Sequence, residues 1–289
     1  VEEAASVGDT PVSDLTTSPL PYTPQSFQRG RLHGVGHPQL VAFFRDLPRI
    51  EQLPTEADTT IYMQRPNLVR EVQLPTELGV PWPRMVVKRF GWRGRQHYLF
   101  SPLKRSRAMK AYHTACHLLA HRLGTPLPLA VCEERRWGFV QYNVYATEAI
   151  TDSLTLRQYR RMLADGSQGA LEVLRLTAEY TRNMHDSGLW HRDMVLSNFL
   201  LTGPPGDRRL YLVDLNRAYR VPYMPMVLRA IDVARMDWQE WHPQFVAFYC
   251  ADRFTVERML RIVWLYRRWR TLRRRVLHVL KPLRQRLRL

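Results

Sequence analysis

The sequence predicts an α+β fold of two lobes, a small β-rich N-terminal lobe and a helical C-terminal lobe, followed by a basic helix. Three observations carry this reading. Short β-branched and aromatic runs cluster between Thr59 and Tyr145, whereas apolar residues recur mainly at helical spacing after Leu154. The stretch Gly188–Tyr219 sets Asp193, Asn198 and Asp214 between two apolar runs joined by the turn-forming LTGPPGDRR. Finally, Arg258–Leu289 holds twelve Arg or Lys and no Asp or Glu.

In chain order, residues 1–38 are rich in Ser, Thr, Pro and Gly without a sustained apolar period, and are read as disordered. Gly34-Val35-Gly36 lacks the flanking strand and helix of a phosphate loop and is not assigned one. Residues 39–146 form the predicted N-lobe. A short helical segment within Leu40–Leu53 leads to strands at Thr59–Gln64, Leu68–Gln73 and Met85–Phe90. Helical spacing of Met109, Tyr112, Cys116, Leu119 and Leu123 then gives a helix within Leu103–Leu123, closed by Gly124 and Pro126. Leu127–Cys132 and Trp137–Tyr145 read as antiparallel strands with EERR as their turn. Residues 147–255 form the predicted C-lobe, with helices at Leu154–Leu163, Gly169–Ser187 and Leu228–Met236. Residues 256–289 are the basic amphipathic helix.

Net charge is +17, and the tail supplies most of it, so any argument from charge concerns an anionic partner of the tail. Cys116, Cys132 and Cys250 are too few and too scattered for a disulfide framework or a zinc knuckle, which fits a reducing, cytoplasmic setting. No apolar run approaches the roughly 18 residues needed to span a bilayer, and the first residues are acidic where a signal peptide is basic. The expectation is a cytoplasmic protein that, where a membrane is involved, lies on it.

The chemistry lies in HRDxxxxN, residues 191–198, and in the apolar strand Tyr211–Asp214. In a protein-kinase-like fold the first pattern puts Asp193 where an acceptor hydroxyl loses its proton and Asn198 at a magnesium ion. Asp214 closes a strand with a hard carboxylate suited to Mg2+. Arg192 and Arg217 are candidates to steady the loop or the transferring phosphate. Lys88, alone, is a strand-end lysine facing water; with HRDxxxxN about a hundred residues downstream it becomes the ligand of the ATP phosphates. Tyr145–Ile150 marks the crossing between lobes, where the backbone of Thr147, Glu148 and Ala149 would bind the adenine edge. Residues 101–129 contain no Asp or Glu, so the helix carboxylate that orients such a lysine in protein kinases is missing. His113, His117 and His121 recur every four residues and are read as a helix face rather than a metal stripe. Trp238, Trp241 and His242 either line an acceptor pocket or pack.

VVKRF, GTPLPLA, VYATEAI, MHDSGLWHRDMVLSNFLL and VDLNRA, spread over residues 40–255, together resemble the lipopolysaccharide kinase family, the Kdo/WaaP (InaA-like) group of bacterial kinase-like enzymes. The resemblance implies ATP- and Mg2+-dependent phosphorylation of a sugar, heptose or Kdo, of the lipopolysaccharide core glycolipid, by a protein peripheral on the inner face of the cytoplasmic membrane. It also implies that Asp232 supports the catalytic loop. A glycine-rich loop is not recognisable, and the Thr59–Gln73 hairpin is its expected replacement. Two other readings stand beside this one: a pseudokinase or scaffold docking through its tail, and a kinase for a small molecule or protein.

Within the tail, Trp and Leu interleaved with Arg favour an anionic membrane surface over nucleic acid as partner. The helix is expected to pack near its start and to meet lipid towards its end.

Overall fold

The computed structural model describes residues 20–46, 61–63, 67–91, 98–162 and 168–286. They form two compact units: one runs to Thr151 and also takes in Asp214–Asn216, the other holds Asp152–Val213 and the chain from Arg217 onward. The expected division after Ala146 therefore moves, because the strand crossing it continues to Glu148.

The first unit contains β1 (Gln25–Arg29), β2 (Leu32–Gly36), α1 (Val41–Asp46), β3 (Ile61–Met63), β4 (Leu68–Gln73), β5 (Arg84–Arg89), α2 (Arg107–Ala120), β6 (Pro128–Arg136) and β7 (Phe139–Glu148). Its strands make a seven-stranded antiparallel sheet among the described residues, ordered β1-β2-β6-β7-β5-β4-β3. Strand alternation decides which side chains reach the core. Met85 and Val87 of β5 are fully buried against Phe27, Leu40, Phe44, Leu129, Tyr142, Val144 and Ala146, so Lys88 falls on the opposite face. The helix α2 packs on β6 and β7. Ser106 caps it by accepting from Met109 N at 3.1 Å, and Asn143 Oδ1 accepts from Ala108 N at 3.2 Å.

Two expectations are corrected here. Residues 25–36, read as disordered, form a hairpin paired to β6 from Leu32 opposite Glu134 to Gly36 opposite Ala130. Gly34 belongs to that pairing, since a Cβ there would stand 2.4 Å from the Val131 carbonyl oxygen. Residues 1–19 lie outside the described residues. Also, EERR is strand rather than turn. The reversal is at Trp137 and Gly138, with φ of 51° and 78°, the left-handed pair that a two-residue hairpin requires. Glu133 is instead buried in the sheet: desolvation raises its pKa, but hydrogen bonds from His33, Arg135 and Ser106 outweigh that and hold it at about 2. The expected helix within Leu40–Leu53 is described as far as Asp46. Of the Thr59–Gln73 hairpin, Ile61–Met63 and Leu68–Gln73 pair beside β5, while residues 59, 60 and 64–66 lie outside the described residues.

The second unit contains β8 (Leu154–Thr155), α3 (Leu156–Met162), α4 (Gln168–Asp186), β9 (Leu189–Trp190), β10 (Phe199–Thr202), β11 (Arg209–Leu212), β12 (Tyr219–Arg220), α5 (Met226–Arg235), α6 (His242–Cys250) and α7 (Val256–Arg286). Val173, Leu174, Thr177, Ala178, Thr181 and Met184 form the buried stripe of α4, while Leu171, assigned to that face from spacing, is exposed. The Thr177 and Thr181 hydroxyls donate to the carbonyls of Val173 and Thr177 at 2.6 and 2.7 Å, which removes the cost of burying them. Helix α6 packs on α4, and α7 packs on α5 and α6.

Trp238 and His242 pack in the core around Phe245. Burial, and then the neighbouring Arg267 charge, push the His242 pKa down to about 4. Arg267 also donates to His242 Nδ1 at 3.3 Å, which requires the neutral ring. The sign follows from linkage. The unfolded chain takes up this proton near the ordinary value of about 6.5 and the folded chain does not, so stability present above that value is lost as pH falls towards 4, by up to about 3 kcal/mol. Urea unfolding at pH 7 and pH 4 should show a smaller loss in His242→Phe than in wild type. Equal losses would exclude His242 as the source.

The tail helix divides as expected near its start, where Met259 and Val263 are buried. Further along, Trp264, Trp269, Leu272 and Val276 are exposed, with Arg268 and Arg273 lying over the two indole rings. No described helix is long and apolar enough to cross a membrane.

Candidate active site

In the second unit the loop after β9 is built around one buried carboxylate. Asp232 of α5 is fully buried. Its Oδ2 accepts from His191 N at 2.9 Å and lies 3.4 Å from His185 Nε2, and its Oδ1 accepts from Arg192 N at 3.0 Å. Burying a carboxylate is tolerated only with such partners. The donors it needs are the backbone of the loop, so the loop is held in place by the requirement. One consequence is strain that persists: Arg192 sits at φ 68°, a left-handed conformation uncommon outside glycine.

Asp193 follows, half-buried, with its N–H 3.3 Å from His191 Nδ1. Asn198 Nδ2 donates to the Asp193 carbonyl at 2.9 Å, which orients the amide and leaves Oδ1 as the oxygen suited to a hard cation. From Asn198 the chain enters β10, whose antiparallel partner β11 runs from Arg209 opposite Thr202 to Leu212 opposite Phe199. The predicted hairpin is thus formed, and Val213 N donates to Asn198 O at 2.9 Å to extend it. The Asp193 carboxylate is held by two guanidiniums, Arg217 at 2.8 Å and Arg235.

In the first unit, Lys88 pairs with Asp214, whose Oδ1 also accepts from Asn216 Nδ2. The Lys88 ammonium lies 5.1 Å from the centre of the Phe90 ring. Asp214 has φ 61°, a conformation that Asp tolerates better than most residues. Among the described residues α2 carries no acid, and the carboxylate paired with Lys88 is that of Asp214.

The other expected residues fare differently. Arg192 is exposed and lies over the rings of Trp190 and Tyr219, at 5.2 and 4.7 Å, across the β9–β12 pair. Among the described residues the arginines paired with the Asp193 carboxylate are Arg217 and Arg235, not Arg192. Thr147 and Glu148 end β7, and Ala149 follows it. Glu148 N donates to Leu127 O at 3.0 Å and Ala149 N to Arg84 O at 3.2 Å, so as donors to a base edge these two are already spent. Arg235 is read from the sequence only as sharing a helix with Asp232, with no role assigned, although the three-residue spacing puts both side chains on the same side. In the helix α2, His121 Nδ1 lies 2.8 Å from the His117 carbonyl.

With this geometry established, comparison with known proteins is informative. The model of the lipopolysaccharide kinase (Kdo/WaaP) family matches residues 88–242, more than half of the chain. A 3-deoxy-D-manno-octulosonic acid kinase of Photobacterium damsela subsp. piscicida is 26% identical over 125 residues, 43% of this chain. The chain spans about half the length of that curated relative, 49%. Among solved structures, WaaP in complex with acyl carrier protein is similar with a TM-score of 0.51 and 18% identity, over 72% of this chain and 86% of that one. That likeness confirms the α+β, protein-kinase-like fold. The family match begins at Lys88 and takes in HRDxxxxN, VDLNRA and Asp232. The chain belongs to the lipopolysaccharide kinase (Kdo/WaaP) family.

Proposed function

We propose that this protein transfers the γ-phosphoryl group of ATP to a hydroxyl of an inner-core sugar of lipopolysaccharide, Kdo or heptose. The observation that carries the reading is Asp193, a carboxylate set on a loop whose backbone is pinned by the buried Asp232. In phosphoryl transfer the protein has little covalent chemistry to perform, and positioning with charge stabilisation accounts for most of the rate. Asp193 orients the acceptor hydroxyl and takes its proton as the oxygen bonds to the γ-phosphorus and the bond to the β-phosphate breaks. Lys88 supplies a cation for the phosphates. Asp214 and the Asn198 amide oxygen are the ligands assigned to Mg2+, which when bound offsets phosphate charge. Asp214 suits both tasks, since its carboxylate already holds a cation.

The relative named as a kinase of an octulosonic acid supports Kdo as the sugar. For location, the exposed Trp264, Trp269, Leu272 and Val276 of α7, with Arg268 and Arg273 over the indoles, support attachment to an anionic membrane surface on the cytoplasmic face. The test is Mg2+-dependent transfer of labelled phosphate from ATP to deacylated core oligosaccharide, with the product position read by mass spectrometry. Label on a Kdo or heptose hydroxyl is the expected result. No transfer to any sugar, together with no ATP binding, would leave a scaffold instead of an enzyme.

A further inference from the structure

The second unit gathers more guanidinium around Asp193 than one carboxylate neutralises. Arg217 and Arg235 both hold it, and Arg235 Nε is buried with no acceptor among the described residues. Helix α7 brings more. Its Arg267 donates to the Ala234 carbonyl at 3.0 Å, which ties the helix to the residue just before Arg235. Arg270 and Arg274 follow at i+3 and i+7 and continue the same face. Burial, and then the guanidiniums of Arg235 and Arg274, hold Arg270 below the ordinary arginine value, while Asp193 pulls the other way. Arg270 is therefore within electrostatic reach of both Arg235 and the carboxylate. Among the described residues neither Arg270 nor Arg274 forms an ion pair.

Three positive charges, those of Arg217, Arg235 and Arg270, surround a single negative one, with the exposed Arg274 beside Arg270; the two partly withdrawn from water, Arg235 and Arg270, are unfavourable until an anion joins them. Arginine is also the cation whose planar fork matches carboxylate and phosphate oxygens two at a time. We infer that Arg235, Arg270 and Arg274 form an anion site beside Asp193, which receives a carboxylate or phosphate of the acceptor and so fixes the hydroxyl it presents. The inference rests on the reading of Asp193 as the residue that receives that hydroxyl. It adds a consequence: an anion drawn to Arg235 competes with Asp193 for one guanidinium, so acceptor binding frees a carboxylate lone pair for the proton.

Calorimetric titration of the full chain separates this site from diffuse charge and from membrane attachment. The probes are a soluble, deacylated oligosaccharide bearing carboxylate and phosphate groups, its methyl ester, its dephosphorylated form, and inorganic phosphate. Arg270→Ala/Arg274→Ala should weaken the oligosaccharide about tenfold or more, the loss of one or two charge-assisted hydrogen bonds. Arg261→Ala/Arg275→Ala removes the same charge from exposed positions on another face of α7 and should change affinity less than about twofold. Esterification should match the first double variant if the carboxylate is the bound group. Dephosphorylation, with competition by inorganic phosphate, should match it if phosphate is. Equal weakening by both double variants, or full affinity after both anions are masked, overturns the site. Anion-dependent binding without phosphate transfer would sustain the site and count against the proposed reaction alone.

Discussion

Asp193→Asn is expected to reduce phosphoryl transfer about a thousandfold at saturating ATP and Mg2+, while ATP affinity stays within about threefold. A positioned general base contributes roughly 10²–10⁴-fold. Asparagine preserves the shape of the side chain and still accepts one hydrogen bond, but its amide cannot take the proton of the acceptor hydroxyl. The residue is also the centre of a small charge cluster, so the variant leaves Arg217 and Arg235 facing a neutral group. The Arg217 side chain is well exposed and recovers water at little cost; Arg235 is mostly buried. A modest drop in melting temperature should accompany the change, and it must be measured so that lost fold is not counted as lost chemistry. Initial rates with deacylated core oligosaccharide decide the matter. Wild-type turnover in a folded Asp193→Asn protein would remove this residue from the reaction.

Asp214→Asn is expected to lower the rate about 10²–10³-fold, on the scale of removing one electrostatic group aimed at developing charge. Its signature differs from that of Asp193→Asn. Because Asp214 is assigned to the cation, the Mg2+ concentration for half-maximal rate should rise at least about tenfold, and excess Mg2+ should restore part of the activity. The change also takes from Lys88 the carboxylate that orients it. The pair is partly exposed, so little stability is at stake. An unchanged Mg2+ requirement would sink the ligand assignment even if the rate fell.

Much of this site was legible in the chain because its parts are local. HRDxxxxN confines Asp193 and Asn198 to one loop, and the turn residues between Leu201 and Arg209 forced the hairpin that delivers Val213 and then Asp214. Alternation along MVVKRF placed Lys88 away from the core side of β5. Other features were not legible, for physical reasons that differ. The N-terminal hairpin has the composition of a disordered segment, and it is ordered by pairing with a strand about a hundred residues away. EERR looked like a turn because charged residues usually avoid strands, yet Glu133 is paired within the sheet with His33 of β2 and Arg135 of its own strand. Thr147, Glu148 and Ala149 were chosen for position in the chain, and only the strand register revealed that the N–H groups of Glu148 and Ala149 are committed.

By itself, the sequence determined the α+β class, the family, and the candidate groups for the chemistry, because hydrophobic period and motif spacing are properties of neighbouring residues. Tertiary structure decided which charges meet. Arg235 reaches Asp193 from 42 residues further along the chain, Asp232 pins the loop from α5, and Asp214 is the carboxylate that Lys88 meets. Ion pairs and buried hydrogen bonds depend on distances of a few ångströms between segments remote in sequence, and no local pattern specifies those distances.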